Sequence, residues 1–191
     1  MRIFIALCIT VFIGACASTD GSGSSTGTQS VAFSMSGGAN GSFQSAKHFV
    51  ILDDETIWHV EEERIKKYVS YVLQYRGLPE VASEEEADYL LFVNYVDVDQ
   101  DVNEQRLVLT ATSKRVYKAL GELRPAWVAA SKHFGIPPNP IQMLPMHTLS
   151  IREFAGGNPY QASMGYKVDS PQVIRLMESV ENARSQTGID N

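Results

Sequence analysis

Residues 89–98, YLLFVNYVDV, constrain the fold more than any other stretch. They read as one strand, and the middle of that strand is apolar on both faces. A strand at the rim of a sheet, or one with a wet face, alternates apolar and polar positions. This one must sit inside a sheet and be covered. The cover is predicted just upstream. In residues 57–76, IWHVEEERIKKYVSYVLQYR, the positions Ile65, Tyr68, Val69, Val72 and Leu73 follow helical spacing and form one apolar stripe. Asp53, Asp54, Glu55 and Glu61–Glu63 crowd the helix start, where the macrodipole favours anions. Gly77 should end the helix, Leu78 should reach back to Leu73 as in a Schellman motif, and Pro79 should block its resumption.

The rest of the folded part reads less uniformly. Residues 30–36, SVAFSMS, alternate as a half-buried strand. GGANGS, 37–42, is a break, and residues 47–52, KHFVIL, read as a second strand hairpinned to the first. Residues 106–113, RLVLTATS, make another strand. KRVYKALGELRPAWVAASKHFG, 114–135, reads as helical stretches interrupted by Pro125. Pro137, Pro138, Pro140 and Pro145 mark a long loop. Residues 147–154 and 162–168 read as strands. Ser170-Pro171 looks like an N-cap and first helical residue, opening a terminal helix that runs toward Gly188. The expected class is α+β: a mainly antiparallel sheet packed against an amphipathic helix, with a C-terminal helix.

The N-terminal residues belong to none of this. MRIFIALCITVFIGA, 1–15, has one charge, Arg2, and an apolar run too short to span a bilayer but suited to a signal peptide. Ile13-Gly14-Ala15-Cys16 resembles the lipobox of bacterial lipoproteins, in which the cysteine is acylated and the chain is cut before it. The same residues also satisfy an ordinary secretory cut after Ala15-Cys16-Ala17. The expected organisation is a signal peptide at 1–15, a lipidated Cys16 with a Gly/Ser linker at 16–30, and a single domain at 31–191. The linker ASTDGSGSSTGTQS would act as a flexible coil about 20 Å end to end. Ala17, rather than Asp, follows the cysteine; by resemblance to enterobacterial sorting that favours the outer membrane.

A second resemblance lies within the domain. FQSAKHFVILDD, the 57–76 helix, Gly77-Leu78, Val81 and ADYLLFVNY at 87–95 resemble a family of small outer-membrane lipoproteins of Gram-negative bacteria. Their shared pattern is an aromatic-rich strand, a helix closed by a Gly break, and an "ADYLL-x-V" central strand. The resemblance implies an α+β domain on an outer-membrane anchor, and it transfers no site residues.

Chemistry is sparse. The two cysteines are Cys8 and Cys16, so a chain cut before Cys16 keeps no thiol in its domain for a disulfide, a metal or a nucleophile. The net charge of −6 argues against nucleic acid as a partner. None of the four histidines, His48, His59, His133 and His147, begins an H-E-x-x-H motif. Gly23–Gly27 matches G-x-S-x-G but lacks the flanking strand and helix. Asp97-Val98-Asp99-Gln100-Asp101 starts like a calcium loop. Its sixth position is Val102 instead of Gly and its twelfth is Val108 instead of Glu, so it reads as a solvated strand end. His59 and Glu63 would share a helix face, as a metal pair or simply a charged helix start. Trp58, Trp127 and the tyrosines could line a ligand face, but aromatics at helical spacing such as Tyr68 read as core. The expected function is a membrane-anchored envelope lipoprotein, a non-enzymatic protein-binding or structural module without cofactor or metal. A small-ligand or lipid-binding module and a cell-wall hydrolase are the alternatives.

Overall fold

The structure is a computed structural model, and it describes residues 30–52, 59–99, 104–135, 140–154 and 159–182. Cys16, the linker up to Gln29, Gly23–Gly27, the acidic Asp53–Glu55, Ile57 and Trp58 at the start of the helix, Gln100–Val102 of the calcium-like segment and Gly188 lie outside the described residues. The elements in chain order are β1 (Ser30–Ala39), β2 (Phe49–Ile51), α1 (His59–Tyr75), β3 (Tyr89–Asp99), β4 (Glu104–Ser113) and α2 (Lys114–Leu120). There follow β5 (Pro125–Phe134), a single 3-10 turn (Pro140–Gln142), α3 (Met143–Phe154), β6 (Tyr160–Lys167) and α4 (Pro171–Asn182). The class is α+β, as the sequence predicts. One six-stranded sheet runs in the order β2-β3-β4-β5-β1-β6, and every neighbouring pair is antiparallel except β2 with β3.

Strand β3 and helix α1 are where the sequence places them and share one core, with α1 packed chiefly against α3 and α4. Leu91 and Val93 of β3 point into the main core, while Leu90 packs with Val50 and Ala87 on the other face, under Phe92 and Tyr117 of α2. The α1 stripe is buried: Tyr68, Val69, Val72 and Leu73 have no exposed surface. Its end is a Schellman motif. Gly77 sits at φ 64°, its N–H donates to Gln74 O at 3.0 Å, and the Leu78 N–H donates to Leu73 O at 2.9 Å.

Strand β2 corrects the hairpin expectation. It pairs in parallel with β3 at one edge of the sheet, and both edges of β1 are taken by β5 and β6. A parallel pair needs a crossover, and α1 supplies it. Residues 40–48 instead travel across the ends of the intervening strands. Asn40 donates to Ala126 O and, through Nδ2, to Pro125 O; Gln44 N–H donates to the Tyr89 hydroxyl, which itself donates to Ser42 O at 3.1 Å. Phe43 packs on Phe49, Tyr89 and Trp127 along that path.

Two further expectations fail between residues 125 and 154. PAWVAASKHF is not helical; it is β5, a central strand between β4 and β1. Its alanines suggest a helix by propensity, but tertiary pairing decides. Residues 147–154 are not a strand. They belong to α3, which begins at Met143 and includes Pro145. That proline is the third helical residue, where the N–H would have no intrahelical acceptor. Helix α3 touches β1, β4, β5 and β6 on one side and α1 and α4 on the other, and residues 143–151 are buried all round. Its hydroxyls are satisfied within the helix: Thr148 Oγ1 donates to Leu144 O at 2.8 Å and Ser150 Oγ to Met146 O at 2.9 Å. Ala129 and Ser131 on β5 leave room for it against the sheet.

The terminal strand and helix agree with expectation. In α4 the Gln172 N–H donates to Ser170 Oγ at 3.4 Å, a long N-cap bond, and Val173, Leu176 and Val180 face the core.

Candidate functional site

Helices α1, α3 and α4 enclose a groove of about 360 Å³ lined by Tyr71, Arg152, Gln172, Arg175, Leu176 and Ser179. Helices α1 and α4 contribute from the border of their apolar stripes, and α3 from its last turn, past its buried stretch. On α4 the positions 172, 175, 176 and 179 lie on one face at helical spacing, beside the buried stripe. Tyr71 comes from α1 and Arg152 from the last turn of α3, where a cation also suits the helix dipole.

Arg152 is held on several sides. Its Nη1 donates to the Tyr71 hydroxyl at 2.8 Å, and its Nε donates to Glu153 at 2.9 Å, with Nη2 on the same carboxylate. Its guanidinium stands 4.6 Å from the centre of the Tyr75 ring, and Tyr75 stacks on Tyr71 with centroids 6.2 Å apart. Burial works against the Arg152 charge, but the hydrogen bonds to Tyr71 and Glu153 outweigh it and keep its pKa above the ordinary value. Arg175 is exposed, and its Nε donates to Pro171 O at 3.1 Å. Ser179 Oγ donates to Leu176 O at 2.9 Å. The groove combines fixed positive charge, hydroxyl and amide groups and an aromatic wall, an arrangement suited to holding a small anion.

A second polar cluster lies inside the core. His147 of α3 shares a 2.9 Å hydrogen bond with Ser131 of β5, and both side chains are fully buried. The His147 ring meets the Phe33 ring edge-on at 4.9 Å. Burial lowers its pKa to about 3, and the nearby His133 adds to the effect, so His147 is neutral. His133 donates through Nδ1 to Ala32 O at 2.8 Å and pairs across the ladder with Gln105. Among the described residues the Nε2 atoms of both histidines and the amide of the buried Gln105 have no hydrogen-bond partner. A serine beside a histidine has the makings of a nucleophile and its base. Here both side chains are fully buried between α3 and β5, and among the described residues neither presents surface to a substrate.

The other residues singled out in the sequence scatter. His48 is exposed beside Asp88, whose carboxyl pKa is lowered by the hydrogen bond from the His48 N–H and by Lys47. His59 is the first residue of α1. Trp127 and Tyr68 are core residues, not a ligand face. Asp97 and Asp99 end β3, and Val108, the twelfth position of the supposed calcium loop, is mid-strand in β4, paired with Asn94 and Ala130. Among the described residues no group of three or more His, Cys, Asp or Glu side chains could hold a metal ion. Nor is any helix among them long and apolar enough to cross a membrane. Sequence reading brings out neither Arg152 nor Arg175. They sit on different helices, and no local pattern marks them as neighbours.

No protein-family model and no curated protein matches the chain. Among solved structures the chain is similar to a dodecamer of a PelC point variant from Paraburkholderia phytofirmans, at 10% identity and a TM-score of 0.41, with 65% of this chain and 95% of that chain covered.

Proposed function

We propose that this chain is an envelope lipoprotein, tethered through Cys16 to the outer membrane, whose domain works by binding rather than by catalysis. The observation that carries the reading is the junction at Cys16, where a short apolar run with small residues before it gives way at once to a Gly/Ser tether. A triacylated cysteine, which the lipobox resemblance implies, anchors stably where one chain would not. The tether then holds the domain about 20 Å from the bilayer, facing the periplasm, where it meets an envelope protein.

Support for a non-enzymatic role comes from the serine–histidine pair. Ser131 and His147 have the reach of a nucleophile and base, but both are fully buried where α3 packs on β5.

Metabolic labelling with a fatty-acid probe tests the anchor. The wild type should be marked and Cys16→Ala should not. Equal labelling of both refutes the lipoprotein reading. In-cell crosslinking from the domain surface tests the binding role, and a captured envelope protein lost on deletion of residues 21–27 is the expected result. Turnover of a peptidoglycan, ester or phosphate substrate that one histidine or carboxylate substitution abolishes would replace the binding role with a hydrolase.

A further inference from the structure

The groove between α1, α3 and α4 holds positive charge that the fold does not consume. Among the described residues the lining is Tyr71, Arg152, Gln172, Arg175, Leu176 and Ser179, and the nearest carboxylate, Glu153, is already paired with Arg152. Arg152 is offset by Glu153, but Arg175 is tied only through Nε to a main-chain carbonyl one turn back. The rest of its guanidinium has no partner among the described residues. In a protein of net charge −6, the solvent-facing Arg175 shares this groove with the carboxylate-paired Arg152, and its charge makes a local site, not a general field.

We propose that this groove binds a small acidic saccharide. Its carboxylate or phosphate meets Arg175 and Arg152, and its ring lies against Tyr71. Arginine suits this task because its planar fork matches an oxyanion in two hydrogen bonds. Arg152 is already oriented by the Tyr71 hydroxyl and the Tyr75 ring, so little side-chain freedom is lost on binding. Gln172 and Ser179 stand one helical turn on either side of Arg175 and offer an amide and a hydroxyl to sugar hydroxyls. The half-buried Tyr71 ring supplies the apolar surface on which a sugar face can rest, over the buried Leu176. A volume of about 360 Å³ is at the low end of ligand pockets and fits one small unit. The site stands whether or not Cys16 carries lipid.

Calorimetric titration of the full-length protein in detergent, at low ionic strength, tests this with four probes: glucuronate, glucose 6-phosphate, glucose and inorganic phosphate. At least one of the two acidic sugars should bind saturably, and added salt should weaken it. Glucose and phosphate should bind at least about tenfold more weakly, since each lacks one half of the recognition. Arg175→Ala should weaken the acidic sugar by at least about tenfold while leaving the melting temperature unchanged, because the side chain is exposed. Equal affinity of wild type and variant, or no binding of either acidic sugar, overturns the proposal. Phosphate binding as tightly as the acidic sugars also overturns it, leaving a bare anion site.

Discussion

His147 Nδ1 lies 2.9 Å from Ser131 Oγ, and this bond joins the central buried helix to the centre of the sheet. It is a neutral bond by construction. A protonated imidazole at that position would be a buried charge, and the neighbouring His133 would oppose it rather than stabilise it.

Acid sensitivity follows. The folded-state pKa of His147 is about 3, against an ordinary value of 6.5 in the unfolded chain. Between those values the unfolded chain binds a proton that the folded one refuses. This contribution to stability is therefore complete above about pH 6.5 and falls away as pH drops toward 3. Denaturant unfolding across that range should show a shallower acid slope for the double variant His147→Leu/Ser131→Ala than for the wild type. Parallel slopes would mean that His147 titrates normally. The double variant is the right comparison because His147→Leu alone would strand the buried Ser131 hydroxyl.

The face of α1 gives a paired test. Val69 is fully buried and Gln74 is exposed, five residues along the same helix. Val69→Asp buries an unpaired carboxylate and should cost on the order of 3–5 kcal/mol. Gln74→Asp should stay within about 0.5 kcal/mol. Thermal melts of the two variants decide it, and similar melting temperatures would contradict the packing described here.

What could be read from the sequence divides along a physical line. The α1 stripe is legible because it announces its burial through helical periodicity, and β3 because its unbroken apolar middle leaves no wet face. The C-terminal helix is legible through Ser170-Pro171. Helix α3 is not, because a helix buried all round has no polar face to set the period, and its Thr148 and Ser150 satisfy themselves on the preceding turn. They then look like the polar half of a strand. Strand β5 hides behind its alanines, of which Ala129 lies on the face of Ser131, where α3 packs. The parallel partnership of β2 and the meeting of Arg152 with Arg175 depend on contacts across the fold, which no short window contains. Cys16 is the reverse case: it is legible only in the sequence and lies outside the described residues.

The closing turn of α1 isolates backbone conformation from packing. Gly77 is at φ 64°, and a Cβ there would meet nothing within 4 Å. Gly77→Ala therefore incurs only the left-handed penalty, about 1–2 kcal/mol. Urea unfolding should show a lower midpoint with an unchanged m-value, since the surface exposed on unfolding stays the same. A midpoint equal to the wild type would mean that the Schellman bonds from Gly77 and Leu78 are not held in solution.

Gly37 tests the opposite case, space without strain. It lies in β1 between Ala129 of β5 and Tyr160 of β6. A Cβ at this position would collide with the Val128 carbonyl oxygen and with the ring and hydroxyl of Tyr160. The obstacle is partly main chain, so a rotamer change of Tyr160 alone cannot relieve it. Gly37→Ala must push β1 away from β5, in the middle of a ladder that also carries β6. Overpacking of this kind should cost about 1–3 kcal/mol. Gly41→Ala is the control, because a Cβ there meets nothing within 4 Å and should change stability by less than about 0.5 kcal/mol. Amide hydrogen exchange separates the local from the global effect. In Gly37→Ala the β1–β5 amides should lose protection before those of β3 and β4, because the collision falls on one ladder while the other pairs keep their register. Loss at the same rate throughout the sheet would show that the strain is shared, and that β1 and β6 open only with the whole domain.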